Sequence, residues 1–376
     1  MKKTYIIIRC LAVGGLEKSA IQLAKYLREK NHKVCIIQIY ETSIKKNILP
    51  IHVQELMHQS LLQSKVKYTP ISIYKIYKNF ANIIQKDHAN FNKINIISMG
   101  EKENILLIIF KYIMRIYAIN VTIISSVRNH PEHKKFSFIV RILRKILYPY
   151  TDILHVQTNS IKKWYLNNLN LNPSKIIKIA NINEKMSLNK KYCNKNITND
   201  YNILLIGNKW KQKGFKYVVD YANFLDENKY DLSKSIKFHI FGNCQSELKA
   251  QKYSEYNNLP NSIILHGLES HQNIFKNKYN LFFLTSLYEG FPNVLIEAIE
   301  QEILPIILNY NYGIEEIVGE DYEYLLDNHN LNIFHRNIKK ALSLNEIEYK
   351  RNISYLQNRL INYSPEKVIK DWLKIL

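Results

Sequence analysis

Glu289-Gly290-Phe291-Pro292-Asn293-Val294-Leu295-Ile296-Glu297 is the stretch from which the rest of the chain can be ordered. Two carboxylates stand eight positions apart, and a Gly-Phe-Pro-Asn turn follows the first. The apolar run Leu281, Phe282, Phe283, Leu284 precedes them and reads as a buried strand. Pro292 suits the first turn of a following helix, where its missing N–H is not needed. The pattern therefore predicts a strand, a loop carrying Glu289, and a helix with Glu297 about five residues in, roughly 7 Å along its axis. A helix N-terminus attracts phosphate, and carboxylates accept hydrogen bonds from hydroxyl groups. An anion at the helix end and hydroxyls at two acids is the chemistry of a sugar-nucleotide.

On either side of this stretch, strand and helix patterns alternate. Residues 203–206, 236–241, 263–265 and 305–308 read as strands, and 215–225 carries helical spacing. Earlier in the chain, 4–9 reads as a strand, Gly14-Gly15 as a turn and 16–28 as a helix; 34–39, 95–98 and 121–124 are further strands. Such alternation predicts an α/β protein of parallel βαβ units. A polar segment, 183–202, holds Lys190, Lys191 and Lys195 and lacks an apolar period, which marks a linker. At 376 residues the chain exceeds the usual size of one domain. The expected organisation is a doubly wound domain over 1–184, a linker over 185–200, a second doubly wound domain over 201–362 and a terminal helix over 363–376 that contains Trp372. Two such domains create a cleft lined by the carboxyl ends of their strands.

The net charge of +21 is unevenly placed. Residues 1–184 hold 29 Lys and Arg against 10 Asp and Glu, a balance of +19; residues 185–376 hold 24 against 22, a balance of +2. A basic first half points to an anionic partner, although a composition rich in Asn, Ile, Lys and Tyr supplies part of the lysine. Within that half, 133–148 is basic and apolar at once. Lys134, Arg141 and Lys145 can share one helix side and Phe138, Ile142 and Ile146 another, the pattern of a helix lying on an anionic bilayer; a core-packed helix is the alternative. Lys111 and Arg115 inside the apolar span 105–127 argue against a membrane crossing. The opening 1–8 mimics a signal peptide, but Arg9 and the following Gly14-Gly15-Leu16-Glu17 favour a first buried strand. Cys10, Cys35, Cys193 and Cys244 show no metal-type spacing and fit a reducing compartment. The charge also raises a nucleic-acid-binding alternative, against which no zinc-finger, RNP or helix-turn-helix signature appears; no nucleic-acid partner is expected.

With the second half laid out this way, the chain resembles the GT-B fold glycosyltransferases of the large retaining group called family 4, over nearly its whole length. The Glu-x7-Glu run, in its Glu-Gly-Phe-Pro-Asn form and followed by Ala298, is the most specific element. It implies that Glu289 takes hydroxyls of the donor sugar and Glu297 the ribose, with Gly290, Phe291, Pro292, Asn293 and Val294 at the donor between them. Ile206-Gly207-Asn208-Lys209-Trp210-Lys211-Gln212-Lys213-Gly214 resembles the family's phosphate clamp, with Gly207 at the strand end and Lys213 matching its lysine. A cation there stabilises the charge of the departing diphosphate. The family usually has arginine directly after the first glycine; this chain has Asn208, and Lys209 or Lys211 is left as a second cation, a point charge in place of a bidentate fork. Gly14-Gly15 resembles the family's loop near the reaction centre, where glycine lets backbone approach a ligand, although a plain turn also wants glycine. Ser126-Val127-Arg128-Asn129-His130-Pro131 resembles a loop on which relatives carry a histidine near the sugar or an Arg-x-x-Pro form, so His130 and Arg128 are candidates. The plain alternatives are a helix cap for Glu289, a solvated helix residue for Glu297 and a surface lysine for Lys213.

The resemblance implies an enzyme that moves a hexose or N-acetylhexosamine from a nucleotide donor, UDP-linked, to a glycan or lipid-linked acceptor at the inner face of a bacterial membrane. Polysaccharide, lipopolysaccharide or O-antigen assembly is the implied setting, with a cytoplasmic, membrane-peripheral location. Transfer is expected with retention of configuration, on one face of the sugar and without a protein nucleophile. The terminal helix is expected to pack back toward the first domain. No Asp-x-Asp occurs and the histidines lack ligand spacing, so neither a metal nor a cofactor beyond the nucleotide-sugar co-substrate is expected. A catalytically dead scaffold of the same fold, prompted by Asn208, is the remaining alternative.

Overall fold

The computed structural model describes residues 2–11, 15–41, 55–57, 60–65, 67–132, 136–183, 200–228, 234–243, 259–310, 313–327 and 330–376. They fall into two compact units, one of 1–184 with 362–376 and one of 185–361.

The first unit is built on six strands: β1 (Lys2–Ile8), β2 (Lys33–Gln38), β3 (Lys93–Met99), β4 (Val121–Ser126), β5 (Ile153–Val156) and β6 (Ile176–Lys178). They lie in the order β2-β1-β3-β4-β5-β6, every pair parallel. Strands buried on both faces read as near-continuous apolar runs, and β1 shows how they partition. Tyr5 and Ile7 enter one core layer with Ile94, Ile96, Val121 and Ile123. Ile6 and Ile8 enter the opposite layer with Ile36, Ile97 and Ile124, as the alternation of side chains along a strand requires. The second layer is closed by the last helix, Pro365–Ile375, whose Val368, Ile369 and Trp372 are buried in it. Asn95 on β3 donates its carboxamide N–H to the carbonyl of Leu376 at 2.9 Å, which ties the chain end to the sheet.

Polar residues fix the helices on the other layer. Lys111, inside the apolar helix Glu101–Ile116, is buried and paired with Asp152, which also accepts the Ile123 backbone N–H. No helix among the described residues is long and apolar enough to cross a membrane. The basic-apolar segment forms a helix over Phe138–Leu147 only; Lys134 lies outside the described residues. Its Arg144 is buried, not solvated. The guanidinium carbon stands 5.0 Å from the Trp164 ring centre and 5.7 Å from that of Phe136, with Glu101 at 3.5 Å. Arg144 thereby pins one side of the helix to the unit. Val140 lies in the core with Leu143 and Leu147 packed against it, as the core-packed alternative expects of one side, whereas Phe138, Ile139, Ile142 and Ile146 on other sides remain exposed.

The second unit carries β7 (Tyr201–Ile206), β8 (Ile236–Phe241), β9 (Ile263–Gly267), β10 (Leu281–Leu284), β11 (Leu304–Leu308) and β12 (Leu325–Leu326). The order is β12-β11-β10-β7-β8-β9, again all parallel. This is the doubly wound order in which the chain starts centrally, builds to one side and then crosses to the other. Ligands of such sheets bind beyond the carboxyl ends of the strands where the order reverses. Here that point lies between β7 and β10; in the first unit it lies between β1 and β3. The strands β5, β6 and β12 are absent from the periodicity reading because β6 and β12 have only three and two residues and His155 interrupts the apolar run of β5.

Candidate functional site

The reversal point of the second sheet is where the sequence-predicted residues gather. β7 ends at Ile206 and leads through Gly207 to the turn that opens the helix Phe215–Asn228; β10 ends at Leu284 and leads through Glu289 to the helix Asn293–Glu300. The two loops are laced together. Leu287 N–H donates to the carbonyl of Gln212 at 2.9 Å, and the Thr285 hydroxyl donates to the carbonyl of Lys213 at 2.7 Å. Gly214, between them, has φ +63°, and a Cβ there would stand 2.0 Å from the Thr285 carbonyl oxygen; only glycine fits both demands.

This lacing aims Lys213 at Glu289. The ammonium donates to Oε1 of the carboxylate at 2.7 Å, with side-chain exposures of 16% and 11%. The pair is thus mostly enclosed yet reachable, and an ammonium with three donors keeps capacity for an incoming oxyanion. Gly207 makes the geometry possible. A Cβ at 207 would lie 2.3, 2.7 and 2.7 Å from Cγ, Cδ and Cε of Lys213, so the lysine stem runs directly over the glycine. Gly242, at the end of β8, completes the crossing: its φ is +133°, and a Cβ would meet the Gly207 carbonyl oxygen at 2.0 Å.

The remaining clamp residues separate. Trp210 is buried and packs edge-on against Phe215, rings 5.5 Å apart, and anchors the loop. Lys209 and Lys211 beside it are exposed. Asn208, in the place of the family's arginine, accepts the Asn243 backbone N–H through Oδ1 at 3.1 Å, so its side chain ties the β7 loop to the β8 loop. On the β10 side, Gly290, Phe291 and Pro292 are buried and Asn293 and Val294 half-buried. Pro292 stands one residue before the helix, as its cap with φ −82°, and not in the first turn. Glu297 is the fifth helical residue, and its carboxylate is 3% exposed. It is not a solvated helix residue: Oε2 stands 2.5 Å from Nδ1 of His271, the first residue of the short helix His271–Ile274 after β9. Sequence reading missed His271, because nothing in a single histidine 26 positions upstream signals the contact.

In the first unit, Gly15 begins the helix Gly15–Glu29, and Gly14 lies outside the described residues. His130 is buried on the loop after β4, with Nε2 3.3 Å from the Ser160 hydroxyl. Arg128 donates to Oδ1 of Asn181 and, at 3.2 Å, to Sδ of Met99; Gln157 donates to the same Asn181 oxygen. Burial lowers the Arg128 guanidinium to about 10. Among the described residues its partners are neutral, so the cation retains its pull on an anion. His155, beneath, is depressed to about 3 by burial and then by Arg128. A neutral ring with Nε2–H donating to the Ile179 carbonyl at 2.8 Å accepts the Ser126 hydroxyl at Nδ1.

The reversal point of the first sheet holds a second group the sequence did not reveal. Arg9, at the end of β1, donates to Glu103 at 2.8 Å, and the Tyr68 hydroxyl donates to the same oxygen at 2.9 Å. Glu103 lies in the first turn of the helix after β3 and is buried. Burial works against the Arg9 charge, but Glu103 outweighs it and raises the guanidinium.

Residues 190–362 match the family model described as glycosyl transferases group 1. That match spans nearly all of the second unit. Over the whole chain, an α-1,4-N-acetyl-D-galactosaminyltransferase of Campylobacter jejuni, named for a diNAcBac-PP-undecaprenol-linked GalNAc acceptor, is 24% identical, covering 100% of this chain and 98% of that protein. An uncharacterized glycosyltransferase of Methanocaldococcus jannaschii is 28% identical over 69% of this chain and 66% of its own length. Among solved structures, HepE of Anabaena in complex with UDP and glucose superposes with a TM-score of 0.76 at 13% identity, over 99% of this chain and 98% of that one. That likeness shows the fold, GT-B, with two Rossmann-like units.

Proposed function

We propose that the protein transfers a hexose or N-acetylhexosamine from a UDP-linked donor to a lipid-linked or oligosaccharide acceptor in bacterial surface-glycan assembly, with retention of configuration. The observation that carries this reading is the Lys213–Glu289 pair at the reversal point of the second sheet, with Glu297 on the helix that follows. Lys213 holds the diphosphate and stabilises the charge it gains on leaving; Glu289 accepts hydroxyls of the sugar; Glu297 accepts those of the ribose. Asn208 is committed to Asn243, so the duty of the family's arginine falls to Lys213 and the loop backbone. The UDP bound by HepE and the undecaprenol-linked acceptor named for the Campylobacter relative support the choice of donor and acceptor class.

The enzyme works at the inner face of the cytoplasmic membrane. The exposed Phe138, Ile139, Ile142 and Ile146, flanked by exposed Arg141 and Lys145 within a stretch, 1–184, of +19 balance, support a helix seated on anionic lipid. Retention requires no carboxylate base on the acceptor side. A panel of nucleotide-sugars tested for thermal stabilisation checks the reading. A bound UDP-sugar at a hundred times its Kd adds about 2.7 kcal/mol; a chain indifferent to every nucleotide-sugar is not this enzyme. The anomeric proton of the product then reports retention or inversion.

A further inference from the structure

A buried carboxylate on an otherwise apolar helix needs a partner that fixes it. Glu297 is flanked on its helix by the buried Leu295, Ile296, Ala298 and Ile299, and its carboxylate is 3% exposed. The group that meets it comes from a different connection of the sheet. His271 follows β9, and Ser270 caps its short helix by accepting the Asn273 N–H at 3.2 Å. The ring is flanked by Phe275, centroids 6.4 Å apart, and is 31% exposed by side chain, so it spans from solvent to the carboxylate. Nδ1 stands 2.5 Å from Oε2 of Glu297.

We propose that His271 is a positioning residue of the nucleotide subsite: by holding Oε2 of Glu297 it sets the plane of the carboxylate, so that Glu297 can accept a hydroxyl of the ribose. The inference rests on the nucleotide-sugar reading above. A carboxylate offers about four lone-pair sites, so an oxygen held by imidazole leaves capacity for a sugar diol. Without His271 the carboxylate can turn to another rotamer, which displaces the acceptor the ribose needs. Nothing in this role touches the transferred sugar or the diphosphate, so the effect belongs to ribose recognition.

The test compares UDP with 2′-deoxy-UDP by calorimetry on the wild-type chain and on His271→Ala, His271→Asn, Glu297→Ala and the His271→Ala, Glu297→Ala double variant. Asparagine places its amide N–H where the imidazole Nδ1 sits. His271→Ala should weaken UDP about tenfold or more, the scale of one hydrogen bond to a charged group, and should narrow the preference for UDP over 2′-deoxy-UDP. His271→Asn should restore most of both. The double variant should bind no worse than Glu297→Ala, and in His271→Ala the loss should fall on KM for the donor more than on kcat. Unchanged UDP affinity in His271→Ala, additive losses in the double variant, or a histidine variant that weakens UDP and 2′-deoxy-UDP equally would each overturn the proposal while the nucleotide site stands. Failure of the wild-type chain to bind UDP would overturn the nucleotide reading itself, and this proposal with it.

Discussion

Gly207→Ala is a substitution of one methyl group that should disable Lys213 without unfolding the chain. The added Cβ would stand 2.3 Å from Cγ and 2.7 Å from Cδ and Cε of Lys213, whereas carbon atoms settle at about 3.5–4.0 Å. The lysine stem must retreat by roughly 1 Å or more. Its ammonium now sits 2.7 Å from Glu289, and a hydrogen bond is lost beyond about 3.2 Å. A hydrogen bond to a charged group contributes about 1.5–3 kcal/mol, and removing one preorganised charge from a transition state costs on the order of 10²–10³ in rate. The clash is with a flexible side chain, so the fold can accommodate it. Gly214→Ala is the contrast: its Cβ would press on the Thr285 carbonyl oxygen at 2.0 Å from a φ of +63°, and a backbone cannot yield in that way. UDP release from a UDP-sugar should therefore fall about 10²-fold in Gly207→Ala, as in Lys213→Ala, with a near-native melting curve, whereas Gly214→Ala should melt early. Wild-type turnover in Gly207→Ala, or a melting loss as large as that of Gly214→Ala, would refute the account of Gly207 as the floor beneath Lys213.

Three further outcomes follow from the structure. Serine at Phe138, Ile142 and Ile146 together should abolish sedimentation with anionic liposomes, whereas Arg141→Glu with Lys145→Glu should weaken binding and reduce its dependence on salt; equal binding of the wild-type chain to neutral vesicles would count against the membrane face. His155 is held neutral in the fold at about 3, below its free value near 6.5. Its contribution is therefore complete above pH ~6.5 and is lost as pH falls from there toward 3, by up to about 1.4 kcal/mol per unit; a urea midpoint flat between pH 7 and 5 would contradict this. Trp372→Ala removes a side chain 2% exposed in the first unit and should cost about 3–5 kcal/mol, read as an early transition in denaturation.

The parts of the molecule legible in the sequence were those whose signal is local. β7 and β10 announce themselves because parallel strands covered on both faces must be apolar throughout, and Ile203–Ile206 and Leu281–Leu284 are. Glu289 could be placed from spacing because it follows a strand end by a short loop, so sequence distance translates into position; Lys213 was named by its match to the clamp of the family the chain resembles. What the sequence hid are contacts made by closure of the sheet. His271 meets Glu297, Arg9 meets Glu103 and Arg144 meets Trp164 across separations that no periodicity spans. Arg144 is instructive: on a helical wheel it belongs with Arg141 and Lys145 as a basic stripe, yet the aromatic wall of Phe136, Trp164 and Tyr165 takes it inside. Asn208 likewise looked like a missing cation, and its structural use became visible only when the end of β8 was found beside it.

The central claim is that the reversal point of the second sheet holds a nucleoside diphosphate, with ribose at Glu297 and phosphate at Lys213. Calorimetric titration of UDP into the wild-type chain and into Glu297→Ala tests it most directly. The wild-type chain should bind, and Glu297→Ala should bind about 10–150-fold more weakly, the equivalent of about 1.5–3 kcal/mol for a charge-assisted hydrogen bond. No binding to the wild-type chain, or equal affinity in the two proteins, would contradict the account.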